Sequence, residues 1–366
     1  MAPRATHVSM PTPSSLLRAV ALGGSLLAVG CATTPGVPGE AARLSSVQPG
    51  LVLRSVTADR SAEDRLLALD PKHITEHDVR TTLALFPAPR IFLIHGGVYG
   101  THLVMATFAR FLVDLGYPEA KIKDPVDGEY SVSPYANSWE TAGMIAWYYE
   151  HDGVRPMLIG HSQGGIQAIK ILYELAGSYR ERIAIWNPLT GTAEDRYSYV
   201  DPLSREERPV VGSVLVSYAS VVGAGGAALL LPNQWSMVNR LHTIPNSVED
   251  FTGFYIRVDL VAWDFGTDPE APYRHNGTAQ VRNVQLPGTY NHVFVPLTER
   301  VKDDQAMRNW LNGFVAGADN PEPPGQTEGR AYNALWTADV WFSVKKHWCM
   351  EAQRLVRAKR ALQAKQ

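Results

Sequence analysis

The chain has 366 residues, 45% of them apolar, with 34 Lys and Arg against 36 Asp and Glu and a net charge of −2. That length is ample for one large domain with its own core, and the near-even charge balance offers no basic excess for nucleic acid. Two cysteines, no Cys/His pattern at metal-ligand spacing and no internal repeat leave no metal, cofactor or repeat architecture to expect.

At the N-terminus, Arg4 and Arg18 precede the apolar run Ala19 to Gly30, which ends at Cys31. The run is too short to span a bilayer, which takes about 20 apolar residues, and basic, apolar and small parts in that order read as a secretory signal peptide. Ala28-Val29-Gly30-Cys31 resembles the lipobox of bacterial lipoproteins, whose cysteine is acylated and becomes the new N-terminus. The resemblance implies a signal peptide over 1–30, a lipid anchor at Cys31 and a tether over 31–50 that begins with the loop-forming Thr33-Thr34-Pro35-Gly36-Val37-Pro38-Gly39. Ala32 in place of aspartate places such a protein in the cell envelope, at the outer membrane facing the periplasm. An ordinary signal with an incidental cysteine is the alternative. With Cys31 lipidated, Cys349 has no intrachain disulfide partner.

The next segments read as a short strand over Leu51 to Val56 and helices over Ser61 to Leu69 and Thr75 to Leu85, with Thr75 and Asp78 at capping-box spacing. Arg90-Ile91-Phe92-Leu93-Ile94 is a buried strand that runs into His95-Gly96-Gly97-Val98-Tyr99-Gly100. A helix over 103–115 follows, with Val104, Phe108, Phe111, Leu112 and Leu115 on one face. Another covers Trp139 through Tyr149.

Arg155-Pro156-Met157-Leu158-Ile159 then leads into Gly160-His161-Ser162-Gln163-Gly164-Gly165. A serine flanked by glycines two residues away, after an apolar strand and before the helical pattern Gly165 to Tyr173, is the nucleophile-elbow arrangement. The sharp strand-to-helix turn strains the serine and exposes its hydroxyl, and glycines give room to the neighbouring backbone. A lone G-x-S-x-G arises by chance; the strand–turn–helix setting makes this one more specific.

Further on, residues 186–209 are polar and rich in turns, and Val210 to Tyr218 reads as the next strand. Residues 221–250 form an insert carrying Leu229, Leu230, Leu231, Trp235, Met237, Val238 and Leu241. Either it caps a site and lines an acyl pocket, or it packs on the sheet's own helices. Glu249 and Asp250 follow Pro245-Asn246-Ser247 as at a helix start. Phe254 to Val258 is a strand that could extend to Trp263, with Asp259, Asp264 and Asp268 nearby. Val281 to Leu286 is a short strand before Pro287-Gly288-Thr289-Tyr290-Asn291-His292, and a helix spans about Thr298 to Phe314. Asn320-Pro321-Glu322-Pro323-Pro324-Gly325 is a stiff linker. Beyond it, 331–362 is one helix with Trp336, Val340, Trp341, Val344 and Trp348 along a side and a basic end. Such a helix lies on an anionic membrane or, more commonly, docks on its own domain.

The order strand, His95-Gly96-Gly97, helix, strand, Gly160-His161-Ser162-Gln163-Gly164, helix resembles the α/β-hydrolase superfamily, within it the bacterial lipase and esterase branch, over roughly residues 85–315. The resemblance implies an α/β fold, a mostly parallel sheet flanked by helices, with a cap insert and a C-terminal helical extension. The hydrolase domain would cover 51–318, and linker plus amphipathic helix 319–366. It implies a Ser, Asp or Glu, His triad in that order. Ser162 is then the nucleophile. Gln163 and Gly97 N–H groups would form the oxyanion hole, with Gly96 and Val98 as alternatives to Gly97, while His95 reads as a structural residue of its loop. Of the two late histidines, His292 follows a strand and precedes a helix, whereas His275 lies in a polar turn; His292 is the expected base. Asp259, followed by Leu-Val, is the expected acid, with Asp264 as the alternative; Asp268, before Pro269, reads as a turn residue.

The implied activity is carboxylic ester hydrolysis, on a small-molecule or lipid ester. The same triad would serve an acyltransferase, thioesterase or amidase, and a non-catalytic envelope lipoprotein retaining the fold is the rival of another class.

Overall fold

A computed structural model describes residues 52–256, 259–262, 273–298, 304–325 and 333–365. The signal segment, Cys31, the tether, Asp264 and Asp268 lie outside the described residues.

Five parallel strands form the central sheet: β1 (Ile91–Ile94), β2 (Met157–His161), β3 (Val216–Val222), β4 (Val248–Ile256) and β5 (Gln280–Leu286), side by side in chain order. The first three strands are apolar or small along their length, save His161 at the end of β2, because parallel strands are covered on both faces. Their side chains alternate between two layers. Ile91, Leu93, Met157 and Ile159 point to one core, and Phe92, Ile94 and Leu158 to the other.

The second core is closed by α5 (Ser138–Asp152) and α6 (Gln163–Leu175), which present Ile145, Trp147, Ile166, Ile169 and Leu172. The first is closed by α4 (Thr101–Asp114) and by α8 (Ala334–Gln363), supported by α1 (Val52–Ser55), α2 (Arg60–Ala68), α3 (Glu76–Thr81) and α7 (Gln305–Gly313). The protein is thus α/β, a parallel sheet between helical layers. Among the described residues no helix is long and apolar enough to cross a membrane.

The C-terminal helix is docked. Trp336, Trp341 and Trp348 are fully buried, each withdrawing on the order of 150–250 Å² from water, about 4–6 kcal/mol as an upper estimate. Its charges find partners on its own domain. Lys346 Nζ sits 2.5 Å from Asp250, Lys359 and Arg360 both pair with Glu63 at 2.8 Å, and Glu351 pairs with Arg155 and Arg354 at 2.6 Å. The basic end is therefore largely an ion-paired seam to α2 and the sheet.

Four local expectations are corrected. Residues 52–55 are a helical turn rather than a strand, with Val52 and Leu53 buried in the core that α8 closes. The strand expected over 210–218 lies over Val216–Val222, where it pairs with β2 and β4. Glu249 and Asp250 open no helix; they lie on β4, held by Arg155 and by Lys346 and His347. Of the helix expected from Thr298, the described part is Gln305–Gly313, capped by the Asp304 carboxylate on the Ala306 and Met307 N–H groups. The capping box at Thr75 and Asp78 is present.

Candidate active site

The loops leaving the C-terminal ends of the five strands gather at one edge of the sheet, where open parallel sheets place their ligands. Ser162 follows β2 and caps α6, with φ 55° and ψ −125°. It is one of only two non-glycine residues with positive φ among the described residues, a conformation that costs on the order of 1–3 kcal/mol. The turn is held by the Ser162 N–H, which donates to Val222 O at 2.8 Å, and the Gly165 N–H, which donates to Ser162 O at 2.8 Å. It is also packed too tightly for side chains: a Cβ at Gly164 would overlap the carbonyl oxygens of Ile94 and His95.

His292 and Asp259 meet Ser162 there. His292 Nε2 lies 2.8 Å from Ser162 Oγ, and its Nδ1 lies 2.6 Å from Asp259 Oδ2. Asp259 and His292 are 4% and 8% exposed, so both contacts are shielded from water. Asp259 Oδ1 accepts from the N–H groups of Val261 and Ala262, each at 3.0 Å. Burial alone would push the Asp259 carboxyl up, but the His292 contact and the two backbone donors together hold it below its ordinary range. Ionised, Asp259 can only accept, so His292 carries its proton on Nδ1. Nε2 is then the bare nitrogen that accepts from the Ser162 hydroxyl.

The glycine loop after β1 lies beside this chain. The Gln163 N–H stands at the first position of α6, where no intrahelical acceptor reaches it. Gly97 packs on the Gln163 side chain so closely that a Cβ would overlap Oε1. The two expected donors therefore belong to touching loops. Gly96 O accepts from His95 Nδ1 and Thr101 Oγ1, both at 2.7 Å, which fixes the loop and gives His95 the structural part read for it. Tyr135 Oη donates to Gly97 O at 3.4 Å.

The other candidates lie elsewhere. His275 is exposed on a two-residue strand. His347 is buried on α8 against Asp250. The insert after β3 packs Met237, Leu241 and Ile244 into the core closed by α6 and leaves Leu230, Trp235 and Val238 exposed.

Two residues escaped sequence reasoning. Gly223, just after β3, has φ +61°, and a Cβ there would stand 2.6 Å from His292 Cε1 and 2.8 Å from its Nδ1. The only signal was its place at a strand end in Val221-Val222-Gly223. His161, part of the elbow motif with no role of its own in the sequence, places its Nε2 2.7 Å from the His292 carbonyl oxygen. Among the described residues no group of three or more His, Cys, Asp or Glu side chains converges as a metal site would. Compared with protein-family models and with curated proteins, the chain finds no match.

Proposed function

We propose that this protein is a serine hydrolase of the α/β-hydrolase type that cleaves carboxylic esters through an acyl-enzyme on Ser162. The observation that carries the reading is the hydrogen-bonded chain Ser162–His292–Asp259, at 2.8 and 2.6 Å, built on a strained serine at the C-terminal edge of a parallel sheet. Motif spacing and side-chain geometry support it independently.

In this reading Ser162 Oγ bonds to the ester carbonyl carbon as its proton passes to His292 Nε2. The negative oxygen that forms is held by the Gln163 and Gly97 N–H groups. The bond to the leaving alcohol then breaks, and His292 returns the proton to the departing oxygen. Water next attacks the acyl-enzyme, giving a proton to His292, which restores it to Ser162 Oγ as the acid leaves. Asp259 holds the imidazole tautomer and faces the positive ring during both halves. Gly223 keeps the space that the ring occupies.

The companion proposal is a lipid anchor at Cys31 in the cell envelope, which would hold the enzyme on the membrane. It rests on the sequence of residues 19–31. Radiolabelled palmitate should enter the wild-type chain and not Cys31→Ala; equal labelling of both would remove the anchor.

The test of the hydrolase reading is turnover of p-nitrophenyl esters of graded acyl length. Ser162→Ala and His292→Ala should abolish it. A wild-type chain that cleaves no ester of any length would remove this reading and favour a non-catalytic envelope protein.

A further inference from the structure

We propose that His161 is a positioning residue for His292: its Nε2–H holds the backbone carbonyl of His292, and so the imidazole, at Ser162. The inference rests on the hydrolase reading above and extends it to a side chain outside the Ser–His–Asp chain.

His161 ends β2 and is 1% exposed. A carbonyl oxygen only accepts, so the 2.7 Å contact between His161 Nε2 and His292 O requires the proton on Nε2. Nδ1 is then bare, and it has no hydrogen-bond partner among the described residues. It lies against the glycine loop, where a Cβ on Gly96 would come within 3.2 Å of it. One ring therefore touches three loops: it follows from the elbow strand, binds the His292 turn and borders the loop expected to carry the oxyanion donor. The rings of His161 and His292 lie 5.5 Å apart.

The need for such a hold follows from where His292 sits. It begins a short turn, His292–Phe294, whose only side-chain cap is Asn291 on the Val293 N–H at 3.0 Å. Asp259 restrains the far side of the ring, and nothing in that contact fixes the backbone. The His161 bond acts on the carbonyl next to the Cα that bears the imidazole. A displacement of about 1 Å there is enough to lose on the order of 10²-fold in rate.

The bond also has to survive the pH range in which the enzyme works. Burial, then the neighbouring His292, holds the His161 pKa down to about 4. The hydrogen bond to the His292 carbonyl, then Asp259, opposes that shift without cancelling it, and His95 adds to it. The ring thus stays neutral, with no second positive charge beside His292 when that ring is protonated.

The test uses the full-length chain with His161→Phe, which keeps a ring without a donor, and His161→Gln, whose amide N–H can reach the same carbonyl. We expect His161→Phe to lower kcat by roughly 10- to 100-fold with KM within about twofold. The low-field proton resonance of His292 Nδ1–H should broaden or vanish in that variant. His161→Gln should recover most of kcat and the resonance. Wild-type kcat and resonance in His161→Phe would overturn the proposal, and so would equal losses in both variants, since the ring and not the donor would then matter.

Nitrogen NMR of the wild-type chain needs no variant to fold. His161 should remain the Nε2–H tautomer down to about pH 5; an Nδ1–H tautomer, or titration at the ordinary histidine value, would overturn the proposal. Absence of any ester turnover by the wild-type chain would instead count against the hydrolase reading, which separates the two failures.

Discussion

Two aspartates, one on β4 and one just past its end, each hold a buried histidine, and only one of those histidines faces a serine. Asp250, near the start of β4, holds His347 Nε2 at 3.1 Å and Lys346 Nζ at 2.5 Å. Asp259, just past its end, holds His292 Nδ1 at 2.6 Å, and the other ring nitrogen reaches Ser162. His347 stacks on Tyr218 instead, with ring centroids 5.2 Å apart. A carboxylate beside a buried imidazole is therefore not in itself a site. What separates the pairs is position: the N-terminal half of β4 meets the docked helix α8, whereas its C-terminal end meets the loops that carry the strained serine and the glycines. The first pair ties a helix to the sheet, and the second polarises a ring toward a hydroxyl.

Breaking the pair at the C-terminal end should abolish chemistry and spare the fold. Ser162→Ala and His292→Ala should each lower ester turnover by about 10⁴-fold or more, with unfolding midpoints close to wild type. Asp259→Asn should cost roughly 10²- to 10⁴-fold, because the amide no longer dictates which ring nitrogen carries the proton; turnover within a few-fold of wild type would disqualify Asp259 as the acid. Gly223→Ala adds a methyl 2.6 Å from His292 Cε1 at a positive φ. It should cost about 10²-fold in kcat by displacing the ring and about 1 kcal/mol in stability, measured together by assay and denaturant melt.

Breaking the other pair should do the reverse. Burial pushes the Asp250 carboxyl up, but His347 and Lys346 outweigh it and bring the pKa down to about 2. A lowered carboxylate pKa contributes stability above the unfolded value, and that contribution is lost as pH falls through about 4 toward 2. From the size of the shift, Asp250→Asn should cost about 2 kcal/mol near neutral pH and flatten the stability curve below pH 4, with the proposed ester turnover of the folded protein nearly unchanged. A large loss of kcat at unchanged stability would erase the distinction between the pairs.

Much of the site was legible because it is local or ordered along the chain. The elbow at Ser162 is a six-residue pattern between an apolar strand and an amphipathic helix, and His292 stands out by following a strand late in the chain. Asp259 ranks ahead of Asp264 in the sequence only by the Leu-Val that follows it, since both lie near a strand end; the structure brings Asp259 to His292, while Asp264 lies outside the described residues. Where sequence reasoning failed, tertiary partners decided. Pro245-Asn246-Ser247 before Glu249 and Asp250 has the chemistry of a helix start, yet Arg155, Lys346 and His347 neutralise those carboxylates on a strand. Leu51 to Val56 is apolar enough for a strand, but α8 offers Val52 and Leu53 a surface that a helical turn fits. Gly223 was invisible for a similar reason: its value lies in the space left for a ring about 70 residues away.

The most direct test of the central claim is the site and rate of labelling by a fluorophosphonate, which reacts quickly only with an activated serine. The account predicts a single adduct on the peptide containing Ser162, formed rapidly in the wild-type chain and in Asp250→Asn, and slowed by orders of magnitude in His292→Ala. Labelling at another residue, or labelling of Ser162 that is indifferent to His292, would contradict it.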